Sequence, residues 1–225
     1  MLWVIVIIMA LVLIVGPNIW VRWTLKRYSQ ERKDLAGTGG QLAEHLAKRF
    51  ELKNVTIERT VEGQDHFDFI AHAVRLSPSV FDGRSLTAVA VSAHEVGHAI
   101  AHEKKEPISR LSTRYLPLAR VLQRITGCML IGWPLISVLM HIPYTAQLHA
   151  MLVVISAFVA VLIQLAMLPE EWDASFNKAL PILAEGNYVS HSELPVIKRI
   201  LIACAMTYVA SALIKVLYFW RWFRR

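Results

Sequence analysis

The chain has 225 residues, 55% of them hydrophobic and 18% charged, with a formal net charge of +7. That length allows one compact domain, or a small domain with membrane helices, and excludes two large domains; an apolar share above the about 45–50% usual in soluble domains favours the second option. The basic excess lies beside apolar runs, at Arg22, Lys26, Arg27, Arg32 and Lys33 and again at Arg110, Arg114, Arg120 and Arg124. Such flanks mark cytoplasmic membrane edges, and with no nucleic-acid motif beside them a nucleic-acid partner is not expected.

Residues 2–21 carry no charge, and about 20 apolar residues cross a hydrocarbon core, so residues 1–21 are predicted to form a transmembrane anchor; no basic start or small-residue cleavage site suggests a removed signal. In residues 22–124, Thr38-Gly39-Gly40 opens a helix on which Leu42, Ala43, Leu46, Ala47 and Phe50 recur at helical spacing. Val55 and Ile57 suggest a strand and residues 72–76 a second, with a polar stretch over 63–68 between them. Ser77-Pro78 and Asp82-Gly83 mark turns before the next helix. No Asp, Glu, Lys or Arg occurs over residues 125–169, which is too long for one helix and predicts a transmembrane hairpin turning at 141–149. Residues 170–199 form a further polar part, with Pro169 suited to the first turn of a new helix. Residues 200–225 are predicted to be a C-terminal transmembrane or interfacial helix. The expected whole is a mainly α membrane protein with about four transmembrane helices. Cys128 and Cys204 each sit in an apolar stretch and read as packing residues.

The chemistry lies in His94-Glu95-Val96-Gly97-His98, an H-E-x-x-H pattern. Four residues on an α-helix advance about 400°, so both imidazoles occupy one face, one turn apart, as ligands of a single zinc ion. Glu95, about 100° round, is placed to act as general base toward the water such an ion activates. Val89, Ala93, Val96 and Ile100 form a stripe on the opposite side, while Ala90, Gly97 and Ala101 leave room beside the histidines for another helix. Catalytic zinc takes three protein ligands. His102 lies about 12 Å along the axis from His94, too far to be the third. The later Gly and His of the metzincin pattern are absent, which leaves a carboxylate from another helix.

Ala93-His94-Glu95-Val96-Gly97-His98-Ala99-Ile100 and Leu168-Pro169-Glu170-Glu171-Trp172-Asp173-Ala174-Ser175 resemble the two signatures of the neutral membrane zinc metallopeptidases (YugP-like), within the gluzincin group. The similarity extends through Asp65-His66-Phe67-Asp68, Arg75-Leu76-Ser77 and Thr207-Tyr208-Val209-Ala210. Phe67 stands where that family has tyrosine, and Phe69 where it has proline. The resemblance implies a small α+β gluzincin-like catalytic domain, one zinc ion held by His94, His98 and Glu171, and Glu95 as base. Asp173 or Ser175 is expected to orient a ligand histidine. His66, Tyr188 and His191 are candidates for stabilising the oxyanion. By analogy with gluzincins the strand at 72–76 could pair with an extended substrate.

These readings predict a zinc metalloendopeptidase acting on peptides or proteins, membrane protein segments included, beside lipid and on the cytoplasmic side of the cell membrane. Two rivals stand against it. In an intramembrane protease the metal lies inside the bilayer, but charges at Arg84 and Glu103 bound a zinc-helix segment already carrying three polar ligands. In a non-catalytic membrane scaffold zinc is structural, and there Glu95 has no role.

Overall fold

The computed structural model describes residues 2–140 and 145–223, and these are mainly helical with one small sheet. Helix α1 spans Leu2–Arg27 and α2 spans Gly39–Arg49, begun by a reciprocal cap in which Thr38 Oγ1 accepts from the Gln41 amide while Gln41 Oε1 accepts from the Thr38 amide. Strands β1 (Thr56–Arg59), β2 (His66–Asp68) and β3 (Ala73–Leu76) follow. After the one-turn helix α3 (Pro78–Phe81) comes α4 (Leu86–Glu103), whose first turn is capped by Ser85 Oγ accepting from the Ala88 amide at 3.0 Å. Helices α5 (Arg110–Met140) and α6 (Thr145–Trp172) pack on each other. A π-helical segment, Asp173–Ala179, then leads into α7 (Leu180–Glu185) and α8 (Leu194–Phe223).

The sheet order is β1-β3-β2, with β1 parallel and β2 antiparallel to β3. Two strands were expected, and β2 falls in the stretch read as a polar connection, because three residues are too few to display an alternating pattern. With β3 in the middle, both of its edges are already paired, so the strand expected to receive a substrate has no edge to offer.

Helix α4 is the centre of the molecule and packs against α2, α8, the π segment and the sheet. Only His98, His102 and Glu103 of its residues escape full burial. A single apolar stripe was expected, yet the helix is enclosed on nearly every side, as one built from Ala, Val, Ile and Gly can be. Burial of Val89, Val91, Val96 and Ile100 contributes about 1.5–3 kcal/mol each, which offsets the cost of carrying His94 and Glu95 into the interior.

The expectation of about four transmembrane helices does not stand. Among the described residues one stretch, His191–Ser211, is long and apolar enough to cross a membrane. The reason is that apolar runs also build cores: Ile200, Leu201, Ala203 and Ala205 of α8 are fully enclosed, and Met167 of α6 likewise. The C-terminal run read as membrane-facing is thus, over its first half, a wall of the protein interior against α1, α4 and α6. The turn expected at 141–149 falls in part on residues 141–144, outside the described residues. Cys204 is buried as expected, whereas Cys128 is exposed.

Candidate metal centre

His94 and His98 lie one turn apart on α4, with Nε2 atoms 3.3 Å from each other. Glu171, in the last turn of α6, brings Oε2 to 3.3 Å from His94 Nε2 and 3.5 Å from His98 Nε2. A tetrahedral ion with bonds of about 2.0–2.1 Å holds its ligand atoms about 3.3 Å apart, so this triangle has the dimensions of one face of a zinc site. Glu171 Oε2 is buried and makes no hydrogen bond, a costly arrangement for a carboxylate unless a cation fills the gap. The donor set of two imidazoles and one carboxylate suits zinc in its catalytic form.

The electrostatics of the pocket agree. Burial pushes the Glu171 carboxyl up, but His98 and His94 outweigh it and hold it at about 2. Burial works against a charge on His98, yet Glu171, Glu95 and Glu170 outweigh it and raise this histidine to about 9. The carboxylates around His98 thus favour a positive charge at this position. His94 shifts the other way, lowered by burial, and stays a neutral imidazole fit to be a ligand.

The ligands are oriented from behind. Ser175 Oγ sits 3.0 Å from His94 Nδ1 and donates to the Leu201 carbonyl at 3.2 Å, so Nδ1 carries the proton toward Ser175 and Nε2 is left free to bind. The orienting role expected of Asp173 or Ser175 thus has a geometric basis at Ser175. Asp173 instead pairs with Lys178, which also reaches Glu106 at 2.8 Å, and accepts from Asn177 at 2.8 Å. Gly97 is where α4 meets the π segment: a Cβ there would lie 2.8 Å from the Ala174 carbonyl oxygen.

Glu170 differs from expectation. The sequence leaves it free for solvent or its own helix start, but α6 runs unbroken through Pro169, and Glu170 is buried. Its Oε2 accepts from the Ser112 amide at 2.7 Å, in the first turn of α5, while Oε1 lies 3.9 Å from His98 Nδ1. Burial raises the Glu170 carboxyl, with His98 and Ser112 opposing.

Glu95 adjoins the triangle in a cavity of about 280 Å³ that both ligand histidines and Glu171 also line. Burial is the main cause that lifts its carboxyl to about 8, while His98 and the Phe67 amide of β2 pull the other way. A carboxyl with that affinity both accepts and releases a proton near neutrality. Of the other candidates, His66 sits on β2 with Nδ1 at 2.7 Å from the Gln64 carbonyl, and Tyr188 binds His45 and Arg49. His191 is exposed in the one-turn 3₁₀ segment before α8. None of these three lines the cavity. His102 stacks among Phe67, Phe69 and His72, away from the triangle.

The family model described as "Putative neutral zinc metallopeptidase" matches residues 3–225, nearly the whole chain. The chain belongs to this family. It is also 30% identical over 205 residues to the "Putative membrane protease YugP" of Bacillus subtilis (strain 168), covering 88% of this chain and 87% of that relative. No solved structure matches. Members of the zinc metallopeptidase family act on peptides, and the His94, His98 and Glu171 triangle is this member's candidate zinc site.

The sequence reading gave no role to one wall of the cavity, although Asp65, Thr207 and Tyr208 stand in segments that carry the resemblance. Cys204, Thr207, Tyr208 and Ser211 face it from α8, and Asp65 from the sheet side. The signal was present in the spacing i, i+3, i+4, i+7, which is one helical face. It was hidden by an apolar run that reads equally well as a membrane span.

Proposed function

We propose that this family member hydrolyses peptide bonds at a membrane surface, with His94, His98 and Glu171 holding one zinc ion and Glu95 serving as general base. The observation that carries the reading is the triangle of 3.3, 3.3 and 3.5 Å ligand separations beside a buried glutamate of raised proton affinity. When bound, zinc supplies Lewis acidity toward the scissile carbonyl and makes water acidic enough to attack near neutral pH. Glu95 takes the proton of the attacking water and returns it to the departing amine. Ser175 holds His94 in the tautomer that presents Nε2. An extended substrate has a free edge to pair with at β2, where Glu95 meets the Phe67 amide.

A scaffold with structural zinc is the rival reading. It fits less well, because structural sites close all four positions with protein ligands, whereas among the described residues three converge here beside a cavity. Membrane association rests on the name of the Bacillus subtilis relative, on the stretch His191–Ser211, and on exposed Leu118, Val121, Ile125, Ile155, Phe158 and Leu162 along α5 and α6. In this reading residues 22–124 and 170–199 form the catalytic part, framed by the apolar stretches 1–21, 125–169 and 200–225. The basic residues from Arg22 to Lys33 favour the cytoplasmic side for that part.

The test is Glu95→Gln in detergent-purified protein offered a peptide library. Turnover should fall by about 10²–10⁴-fold while zinc stays near one per chain. Undiminished turnover would remove Glu95 from the base role. A zinc-loaded native protein that cleaves nothing in the library would favour the scaffold.

A further inference from the structure

Hydrolysis of an amide places negative charge on the former carbonyl oxygen, and enzymes that cleave acyl bonds aim hydrogen-bond donors at that oxygen. The sequence candidates for such a donor lie outside the cavity, so the donor belongs to the polar side chains that line it. Asp65, Glu95 and Glu171 are carboxyl groups, and Asp65 is engaged by the Ser77 amide at 2.6 Å and by Ser77 Oγ at 2.9 Å. His94 turns Nε2 to the metal triangle and Nδ1 to Ser175, and His98 turns Nε2 to the same triangle. Thr207 donates its hydroxyl hydrogen to the Cys204 carbonyl at 2.7 Å. Ser211 donates to the Tyr208 carbonyl at 2.8 Å. Cys204 offers a thiol, a weak donor.

Tyr208 remains. Its hydroxyl has no hydrogen-bond partner among the described residues, although the ring is enclosed well enough that a tyrosine there normally finds one. It stands on the wall formed by α8, and α8 packs against both α4 and α6, the helices that carry the ligands. Tyr208 thereby lines the same small cavity as Glu95 and the metal triangle, with its hydroxyl uncommitted among the described residues.

We propose that Tyr208 is a catalytic residue whose hydroxyl donates a hydrogen bond to the substrate oxygen as it becomes an oxyanion. This rests on the hydrolytic reading above. As water attacks, the new C–O bond forms, the carbonyl π pair moves onto oxygen, and Glu95 accepts the water's proton. Tyr208 keeps its own proton and shares it through the hydrogen bond. On collapse the C–N bond breaks, the electron pair on oxygen re-forms the carbonyl, and the proton held by Glu95 passes to the amine, giving an amine and a carboxylic acid that then loses its remaining proton to solvent. The donor is more strongly engaged at the transition state than with the neutral carbonyl of bound substrate, so it acts on kcat more than on KM.

The experiment compares native protein, Tyr208→Phe and Glu95→Gln, the first variant removing one oxygen atom and leaving the ring that packs. Three quantities are measured: zinc per chain, kcat and KM on a peptide the native protein cleaves, and the affinity of a phosphinic peptide, whose tetrahedral anion resembles the transition state. Tyr208→Phe should keep full zinc, lose about 10²–10³-fold in kcat with KM nearly constant, and bind the phosphinic peptide about 10- to 100-fold more weakly. Native kcat and native phosphinic affinity in Tyr208→Phe would overturn the proposal. So would loss of zinc in that variant, which would make the residue structural, or an effect confined to KM. Failure of the base reading has a different signature, turnover retained in Glu95→Gln, and leaves the phosphinic result for Tyr208→Phe to be judged by itself.

Discussion

The two halves of the candidate zinc site are built on different principles. On α4 the ligands His94 and His98 are neighbours because any α-helix makes residues four apart neighbours, and the helix is held by enclosure in the core. The other half, from Pro169 to Ala179, is irregular: α6 carries a proline in its last turns and then widens into a π-helical segment. In that geometry hydrogen bonds run from i to i+5, so Asp173 and Lys178 come to lie one turn apart and pair. Lys178 ties the segment onward to Glu106, before α5, and Glu170 ties it to the first turn of α5 through Ser112. One half of the site is therefore local and periodic, while the other is positioned by contacts with residues distant in sequence. Such π segments recur at functional sites because the extra residue re-aims side chains on one turn.

The largest expected effect comes from separating the two adjacent glutamates. Glu171→Gln should abolish stoichiometric zinc and with it activity, whereas Glu170→Gln should keep the metal, with affinity lowered by about tenfold to 100-fold as for other groups that support a ligand from behind. Metal analysis after dialysis distinguishes them, and zinc lost in Glu170→Gln but kept in Glu171→Gln would exchange their roles. Next in size is Lys178→Met, which leaves the Asp173 and Glu106 carboxylates facing each other without their shared cation. Removing one member of a buried ion pair costs about 3–5 kcal/mol, so the denaturation midpoint should fall clearly, and an unchanged midpoint would mean that the π segment is held by packing alone. Smallest is Ser175→Ala, which deletes the partner of His94 Nδ1 and should weaken zinc by about tenfold with little change in stability. Native zinc affinity in that variant would show that α4 orients its own ligands and that the two halves are less interdependent than their contacts suggest.

The same division decided what could be read in advance. The helix that brings His94 and His98 onto one face, with Glu95 beside them, was legible in the sequence, since helical geometry is local. A ligand carboxylate on the segment after Pro169 was expected on physical grounds as well as from the resemblance, but only the resemblance singled out Glu171 from Glu170, because nothing in residues 168–175 by itself distinguishes a ligand from a helix-end charge. Glu170 was misjudged for the same reason: its partner, the Ser112 amide, lies far back in the chain. The strand β2 was read as a connection, and the apolar runs were read as membrane spans where the interior of the protein competes for the same residues.

The sequence by itself determined a helix with His94, Glu95 and His98 at metal-ligand spacing, a two-part signature and a mainly helical chain rich in apolar runs. These follow from residue type and from the fixed period of the α-helix, which act over a few residues. Only the tertiary structure decided which of two adjacent glutamates meets the histidines, that Ser175 and not Asp173 stands behind His94, and that α8 brings Tyr208 to the cavity while β1 and β2 form the sheet edges. Those outcomes depend on the relative placement of α4, α6 and α8, which is set by how side chains far apart in the chain close-pack and satisfy one another's buried polar groups.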